Sequence, residues 1–306
     1  MNRYDPSKRF YPKHDSSKRR VPEIPAVGKR IRLLVDTDAG CEVDDQYAIA
    51  LALLYPERFD LVGFTGEHWG SPDTLDKTVH EIETVMEKAG MAGKYPIMRG
   101  SDSLKWFDYP EPSEAVDFII DQAMASDPDD PLYIVAIGSS TNIASAFMTE
   151  PRIAEKIVMV YHTRSQWPIR GANMNITLDL KAARHIFSSN IPLVMFDTGT
   201  YIRCPKKKSE RILKPFSPLG AYLHDIRVNS PHAGCRSETK GFFDIGDIAL
   251  LIDPSIAEWD VETAPLLKSD SIFDFTKPQG QVLRVYHCSR EGCFDLLHKG
   301  LVRHFS

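Results

Sequence analysis

Ile31-Arg32-Leu33-Leu34-Val35-Asp36-Thr37-Asp38-Ala39-Gly40-Cys41-Glu42-Val43-Asp44-Asp45 decides how the chain is read. A strand-length apolar run is followed by five acidic residues in ten positions. Carboxylates crowded that closely repel one another and raise each other's pKa unless a cation sits among them. A hard divalent ion ligated by oxygens, Ca²⁺ or Mg²⁺, is the simplest neutraliser. Tyr47, Ala48, Ile49, Leu51, Ala52 and Leu54 follow at helical spacing, which puts the cluster at a strand's carboxyl end, where open α/β sheets bind ligands. An acidic helix N-terminus favoured by the helix dipole accounts for Asp44 and Asp45. It does not account for Asp36 and Asp38, which belong to the strand's exit, so the cluster is read as a metal or catalytic site.

Outward from this stretch, apolar runs alternate with helical patterns. Strands are expected at Ile31–Val35, Asp60–Thr65, Ile97–Arg99, Leu132–Ile137, Ile157–Tyr161 and Pro192–Phe196. Helices are expected at Asp44–Leu54, Pro72–Ala89, Ser113–Ala125, Thr141–Met148 and Leu180–Ser188. Nearly unbroken Val/Ile/Leu runs mark strands buried on both faces. The βαβα rhythm therefore predicts an α/β fold with a mostly parallel, Rossmann-like open sheet flanked by helices. After Thr200 the rhythm loosens, and the reading places a helix at Gly246–Ile252, a strand around Val282–Tyr286 and a last helix from Glu291. The expected organisation is a basic arm over 1–29 and a single domain over 30–306.

With 306 residues, 42% hydrophobic and 26% charged, the composition is that of an ordinary globular enzyme. A net charge of −5 gives no reason to expect nucleic acid or an anionic membrane as partner. No apolar stretch has the length of a membrane span. The first 29 residues lack the apolar core of a secretory signal. Five scattered cysteines are expected as free thiols in a reducing compartment, the cytoplasm. Cys288 and Cys293 have the wrong spacing for a zinc knuckle.

Three further segments carry polar chemistry. In Ile134-Val135-Ala136-Ile137-Gly138-Ser139-Ser140-Thr141-Asn142 a buried strand ends in a small-residue turn that opens a helix. Its plain reading is an N-cap at Ser140 or Thr141. Its functional reading is a turn facing the crevice of the Asp cluster. Asn173-Met174-Asn175, with Asp179 after it, offers donors and acceptors close together, as a polyhydroxyl ligand requires, although asparagine is also ordinary loop chemistry. Asp244, ahead of an apolar helix, reads as a cap or as a carboxylate reaching a metal from the far end of the chain.

These segments together resemble the nucleoside hydrolase family, the inosine/uridine-preferring N-ribohydrolases. Asp36-Thr37-Asp38-Ala39-Gly40 and Asp44-Asp45 are similar to its opening Asp-Thr-Asp-x-Gly-x-Asp-Asp, with two extra residues after Gly40. Ile137–Ala144 is similar to its Gly-Pro-Leu-Thr-Asn segment, Asn173–Asn175 to its Glu-Phe-Asn segment, and Asp244 to its late metal-binding Asp. The resemblance spans roughly 30–255. It implies one Ca²⁺ held by Asp38, Asp45, the Thr141 carbonyl and Asp244, with Asp36 in support. It further implies Asp38 as general base, ribose contacts from Asp44, Asn173 and Asn175, a nucleoside-like substrate, and a homodimer or homotetramer.

Three departures stand out. Asn173 replaces the family's ribose-binding Glu, and Phe243 stands where a His often protonates the departing base. Tyr161-His162-Thr163 replaces a Gly-Gly. His162 and His68 are the candidate substitutes for the missing acid, though a single His is more often structural. Trp167 or Trp69 could stack a leaving base, with core packing as the plain alternative. Two rival functions are a phosphohydrolase of the haloacid-dehalogenase type, whose Asp-x-Asp leaves Asp44-Asp45 without a role, and a metal- and ribose-binding protein without turnover.

Overall fold

A computed structural model describes residue 4 and residues 15–163, 171–197 and 201–306; Trp167 lies outside the described residues. Six strands run parallel: β1 (Ile31–Thr37), β2 (Phe59–Gly66), β3 (Ile97–Arg99), β4 (Leu132–Ala136), β5 (Ile157–His162) and β6 (Leu193–Phe196). The large sheet is completed by β9 (Ala257–Leu267) and β10 (Phe273–Cys288), with β10 parallel to β6 and β9 antiparallel to β10. Its spatial order is β3-β2-β1-β4-β5-β6-β10-β9. Strand order therefore reverses between β1 and β4, and open α/β sheets bind ligands in the crevice outside the carboxyl ends at such a point.

The helices cover both faces. Leu33 and Val35 of β1 enter one core with α1 (Asp45–Leu54), α9 (Ile245–Ile252) and α10 (Arg290–Phe305). Leu34 enters the other with α3 (Glu114–Met124), α4 (Thr141–Thr149) and α6 (Leu180–Ser188). Successive strand residues point to opposite faces, so a strand covered on both sides must be apolar throughout. Each such side chain contributes roughly 1.5–3 kcal/mol by leaving water.

The expected strands and helices up to residue 196 occur with ends moved by one or two residues. The later region holds more structure than the sequence reading placed. It contains β9, α7 (Lys206–Ile212), α8 (Pro218–Asn229) and a small sheet of β7 (Arg203–Pro205) with β8 (Thr239–Gly241). β9 lies at the sheet edge with buried and exposed positions mixed, so it lacks the unbroken apolar signal of the interior strands. α2 (Thr74–Lys88) and the short α5 (Met174–Leu178) complete the set.

Residues 15–29 lie against the domain. Arg58 donates to the carbonyls of Pro25 and Ala26 at 2.7 and 2.6 Å. Buried Arg19 donates to those of Phe187 and Ser189, both at 2.7 Å, and so closes the C-terminus of α6. Among the described residues, no helix is long and apolar enough to cross a membrane.

Candidate active site

The acidic cluster sits at the carboxyl end of β1, at the reversal point of the sheet. Gly40, at φ +98°, takes the left-handed backbone that releases the chain from Asp38 toward α1. Gly138, just past β4, permits the close approach of the second wall. A Cβ there would come within 2.9 Å of the Asp38 nitrogen and 3.1 Å of the Glu67 Cβ. The Thr37 hydroxyl donates to Asp45 Oδ1 at 2.5 Å, tying the start of α1 back to the strand.

Asp38, Asp44, Asp45 and Asp244 all line one inner pocket, with His162, Asn173, Asn175, Phe243 and Ile137. Carboxylate oxygens of Asp44, Asp45 and Asp244 lie within 4.8 Å of one another. Burial, then the charges of Asp45, Asp44 and Glu42, push Asp38 well above the carboxylate range. Burial and Asp44 push Asp45 up to about 7. Burial and the surrounding aspartates also push Asp244 well up. Asp38 Oδ2, fully buried, finds no hydrogen-bond partner among the described residues.

Asp44 behaves differently. Burial works to raise its pKa, but Lys240 and the Phe243 amide outweigh it and leave it lowered. Lys240 Nζ donates to Asp44 Oδ1 at 3.0 Å and to Glu42 Oε2 at 2.6 Å, while the Phe243 N–H donates to Asp44 Oδ2 at 2.6 Å. Among the described residues, Lys240 serves Asp44 and Glu42, no lysine or arginine pairs with Asp38, Asp45 or Asp244, and the His162 ring stands 4.0 Å from Asp244. An oxygen-only donor set with surplus negative charge and an orphaned buried oxygen fits a hard divalent cation.

Asp36 does not line the pocket. It lies one layer behind, where the Thr65 hydroxyl and the Asn142 amide donate to Oδ1 at 2.6 and 2.9 Å. Burial holds it up at about 6 against these hydrogen bonds and one from Glu67. Burial and Asp36 push Glu67 far up, so each of these two buried carboxyls raises the cost of ionising the other beneath the floor of the site. Ser139 donates to Glu67 Oε2 at 2.6 Å. Sequence reading passed over Glu67, since only tertiary packing brings it to Asp36.

Thr141 and His68 also lie outside the pocket. The Thr141 hydroxyl donates to Asp179 Oδ2 at 2.9 Å and lies 3.3 Å from His68 Nε2. The Thr141 backbone is the first turn of α4. The pocket-lining residue of this wall is Ile137, whose carbonyl accepts from Asn175 Nδ2 at 3.3 Å. His68 Nε2 also meets the Ser103 hydroxyl at 3.2 Å, and burial lowers its pKa, which favours the neutral ring.

His162 does line the pocket. Its Nδ1 is 2.8 Å from Asp247 Oδ2 and 4.0 Å from Asp244 Oδ1, and its buried Nε2 has no described partner. Asp247 was missed because, one helical turn past Asp244, it reads as the acidic first turn of a helix. Asn173 caps α5 by accepting from the Ile176 N–H at 3.1 Å, and its amide donates to the His162 carbonyl at 3.3 Å.

In metal-free protein the raised carboxyls give stability a definite pH dependence. A carboxyl whose folded pKa lies above its unfolded value binds more protons when folded, so stability falls as pH rises toward the folded pKa. Asp45, raised from 3.8 to about 7, places the loss between about pH 4 and pH 7, and Asp38 and Asp244, both raised, act in the same direction. His68 and His185, lowered by burial, act oppositely but mainly below their ordinary value of about 6.5. Chelator-treated protein should lose about 5 °C of Tm from pH 5 to pH 7, and added Ca²⁺ should restore more at pH 7 than at pH 5. A flat profile in scanning calorimetry would show the cluster needs no cation.

Residues 33–274 match the family described as inosine-uridine preferring nucleoside hydrolase. The pyrimidine-specific ribonucleoside hydrolase RihB of Escherichia coli K12 is 33% identical over 226 residues, covering 64% of this chain and 69% of that protein; its counterpart in Shigella sonnei gives the same values. Two solved structures share the fold. The plant nucleoside hydrolase PpNRh1 has TM-score 0.73 at 20% identity, covering 90% of this chain and 99% of its own. The purine-preferring ribonucleoside hydrolase of Gardnerella vaginalis has TM-score 0.71 at 21% identity, covering 89% and 98%.

Proposed function

Because the chain belongs to the inosine-uridine preferring nucleoside hydrolase family and is a hydrolase acting on N-glycosyl compounds, we propose that it splits a ribonucleoside into ribose and base with Ca²⁺ bound in the acidic pocket. The observation that carries this is the convergence of Asp38, Asp45 and Asp244 from distant parts of the chain with no lysine or arginine paired to them among the described residues. Asp38, Asp45, Asp244 and the Ile137 carbonyl would hold the ion, Ile137 replacing Thr141 because it is the residue of that wall at the pocket. Bound there, Ca²⁺ supplies a lowered pKa for water and a grip on vicinal hydroxyls.

The chain's own residues do the rest. Asp38 takes the proton of the attacking water through its unpartnered Oδ2. Asp44, kept ionised by Lys240, accepts from a ribose hydroxyl, and Asn173 and Asn175 orient the sugar. The carboxylates stabilise positive charge developing on the sugar in an oxocarbenium-like transition state. His162, oriented by Asp247, stands on the sugar side of this pocket and offers Nε2 to it. The 30–306 unit acts as the catalytic domain, in the cytoplasm and as a homo-oligomer, with 1–29 as an arm outside the chemistry.

The test is reducing-sugar release from uridine, inosine, cytidine and adenosine, with chelator and after Ca²⁺ is returned. Turnover of at least one nucleoside is expected, falling at least about 100-fold on chelation and recovering with Ca²⁺. Ribose binding by calorimetry with no sugar release would instead identify a binding protein.

A further inference from the structure

Beside the inner pocket lies an outer chamber of about 520 Å³, and the two share Cys41 and Glu42. Those two residues fall in the segment between Gly40 and Asp44. The chamber has room for a heterocyclic ring, and its lining includes Glu42, Glu81 and Asp225 with no lysine or arginine. Lys240 serves Glu42. Among the described residues, no cation pairs with Glu81 or Asp225. A concave wall of one sign focuses potential on whatever enters it.

A second observation points to a ligand. Gln46, only 3% exposed, donates through Nε2 to Glu81 at 3.0 Å, while its buried Oε1 has no described partner. Trp69 Nε1, also buried and on this wall, is a donor without a described partner. An acceptor and a donor left open in an acidic aromatic chamber suit a ring with a polar substituent. The Trp69 ring already attracts the Lys77 ammonium, 5.4 Å from its centroid, which is cation–π behaviour.

Proton donors for a departing base are scarce here. The Tyr222 hydroxyl donates to Glu81, and burial together with Glu81 raises its pKa. Burial and the neighbouring carboxylates push the Cys41 thiol far up. His232 accepts the Gly234 N–H at Nδ1, and its Nε2 is 3.7 Å from Glu42.

We propose that the outer chamber receives a cationic aromatic leaving group, an N-ribosylated pyridinium-type ring, so that the hydrolysis proposed above proceeds without a proton delivered to the base. This rests on the proposed hydrolase reading and specifies its substrate. Water adds to C1′, the C1′–N bond breaks, and its electron pair settles on the ring nitrogen, turning the cation into a neutral pyridine. The products are ribose, the neutral base and one proton, taken first by Asp38. A neutral nucleoside cleaved in the same way would expel an anion. The outer carboxylates meet charge that is being lost as the bond breaks, so their effect lies mainly in KM.

Two measurements on the full-length, Ca²⁺-loaded protein test this. Nicotinamide riboside should show a kcat/KM at least about tenfold above uridine and inosine. In calorimetry, 1-methylnicotinamide cation should bind at least about tenfold tighter than neutral nicotinamide, an advantage that falls with added NaCl and in Asp225→Asn. Equal binding of the two probes overturns the proposal, as does faster cleavage of uridine that is lost in His232→Gln. If no ribosyl compound is cleaved, the hydrolase reading fails, while the calorimetric pair still decides the charge preference of the chamber.

Discussion

Asp38→Asn is expected to lower kcat/KM on the best ribosyl substrate by about 10³- to 10⁴-fold, the upper range for loss of a general base. The substitution preserves shape and removes both the charge and the proton acceptor. Asp38 touches both roles, so the readout must separate them. Metal content by elemental analysis and Ca²⁺ affinity by calorimetry should fall by no more than about 100-fold, because Asp45, Asp244 and the Ile137 carbonyl remain. At saturating Ca²⁺ the loss should then persist in kcat. Recovery of kcat by excess Ca²⁺ would make Asp38 a metal ligand only and move the base elsewhere.

The second large effect is on stability. Lys240→Met should destabilise the fold by about 3–5 kcal/mol, the usual result of removing one partner from a buried ion pair. Lys240 is 4% exposed and Asp44 1% exposed, so Asp44 recovers too little water to replace the ammonium. Methionine keeps most of the volume, which isolates the charge from the packing. Urea unfolding should show the lowered midpoint, and Lys240→Met/Asp44→Asn should recover part of it by removing one stranded charge. A single variant as stable as the parent would mean these carboxylates are neutralised without the lysine. The double variant no better than the single would place the cost on Glu42.

The site was legible where its signal is local. The first acidic stretch needs no partner to be conspicuous, since Asp36, Asp38, Asp44 and Asp45 stand within ten residues. The strand ahead of it is apolar because both faces are covered, and that is a property of consecutive residues. Asn173, Asn175 and Asp244 were legible by order and spacing. Thr141 and Ile137 illustrate the limit. Both sit in one quoted segment, and the resemblance pointed to the carbonyl of the threonine, whereas the pocket is lined by the isoleucine four residues earlier, a choice of backbone carbonyl that no side chain announces.

The sequence by itself determined the alternating α/β architecture, the strand that ends in carboxylates and the family they belong to. Periodicity and clustered charge are carried by neighbours along the chain. The tertiary structure alone decided that Asp36 lies behind the site with Glu67, that His68 lies outside the pocket that His162 lines beside Asp247, and that Lys240 compensates Asp44 and Glu42. Those pairings join residues 31 to 198 positions apart. Burial and distance set the charge of each group, and neither is a property of a residue and its neighbours in sequence.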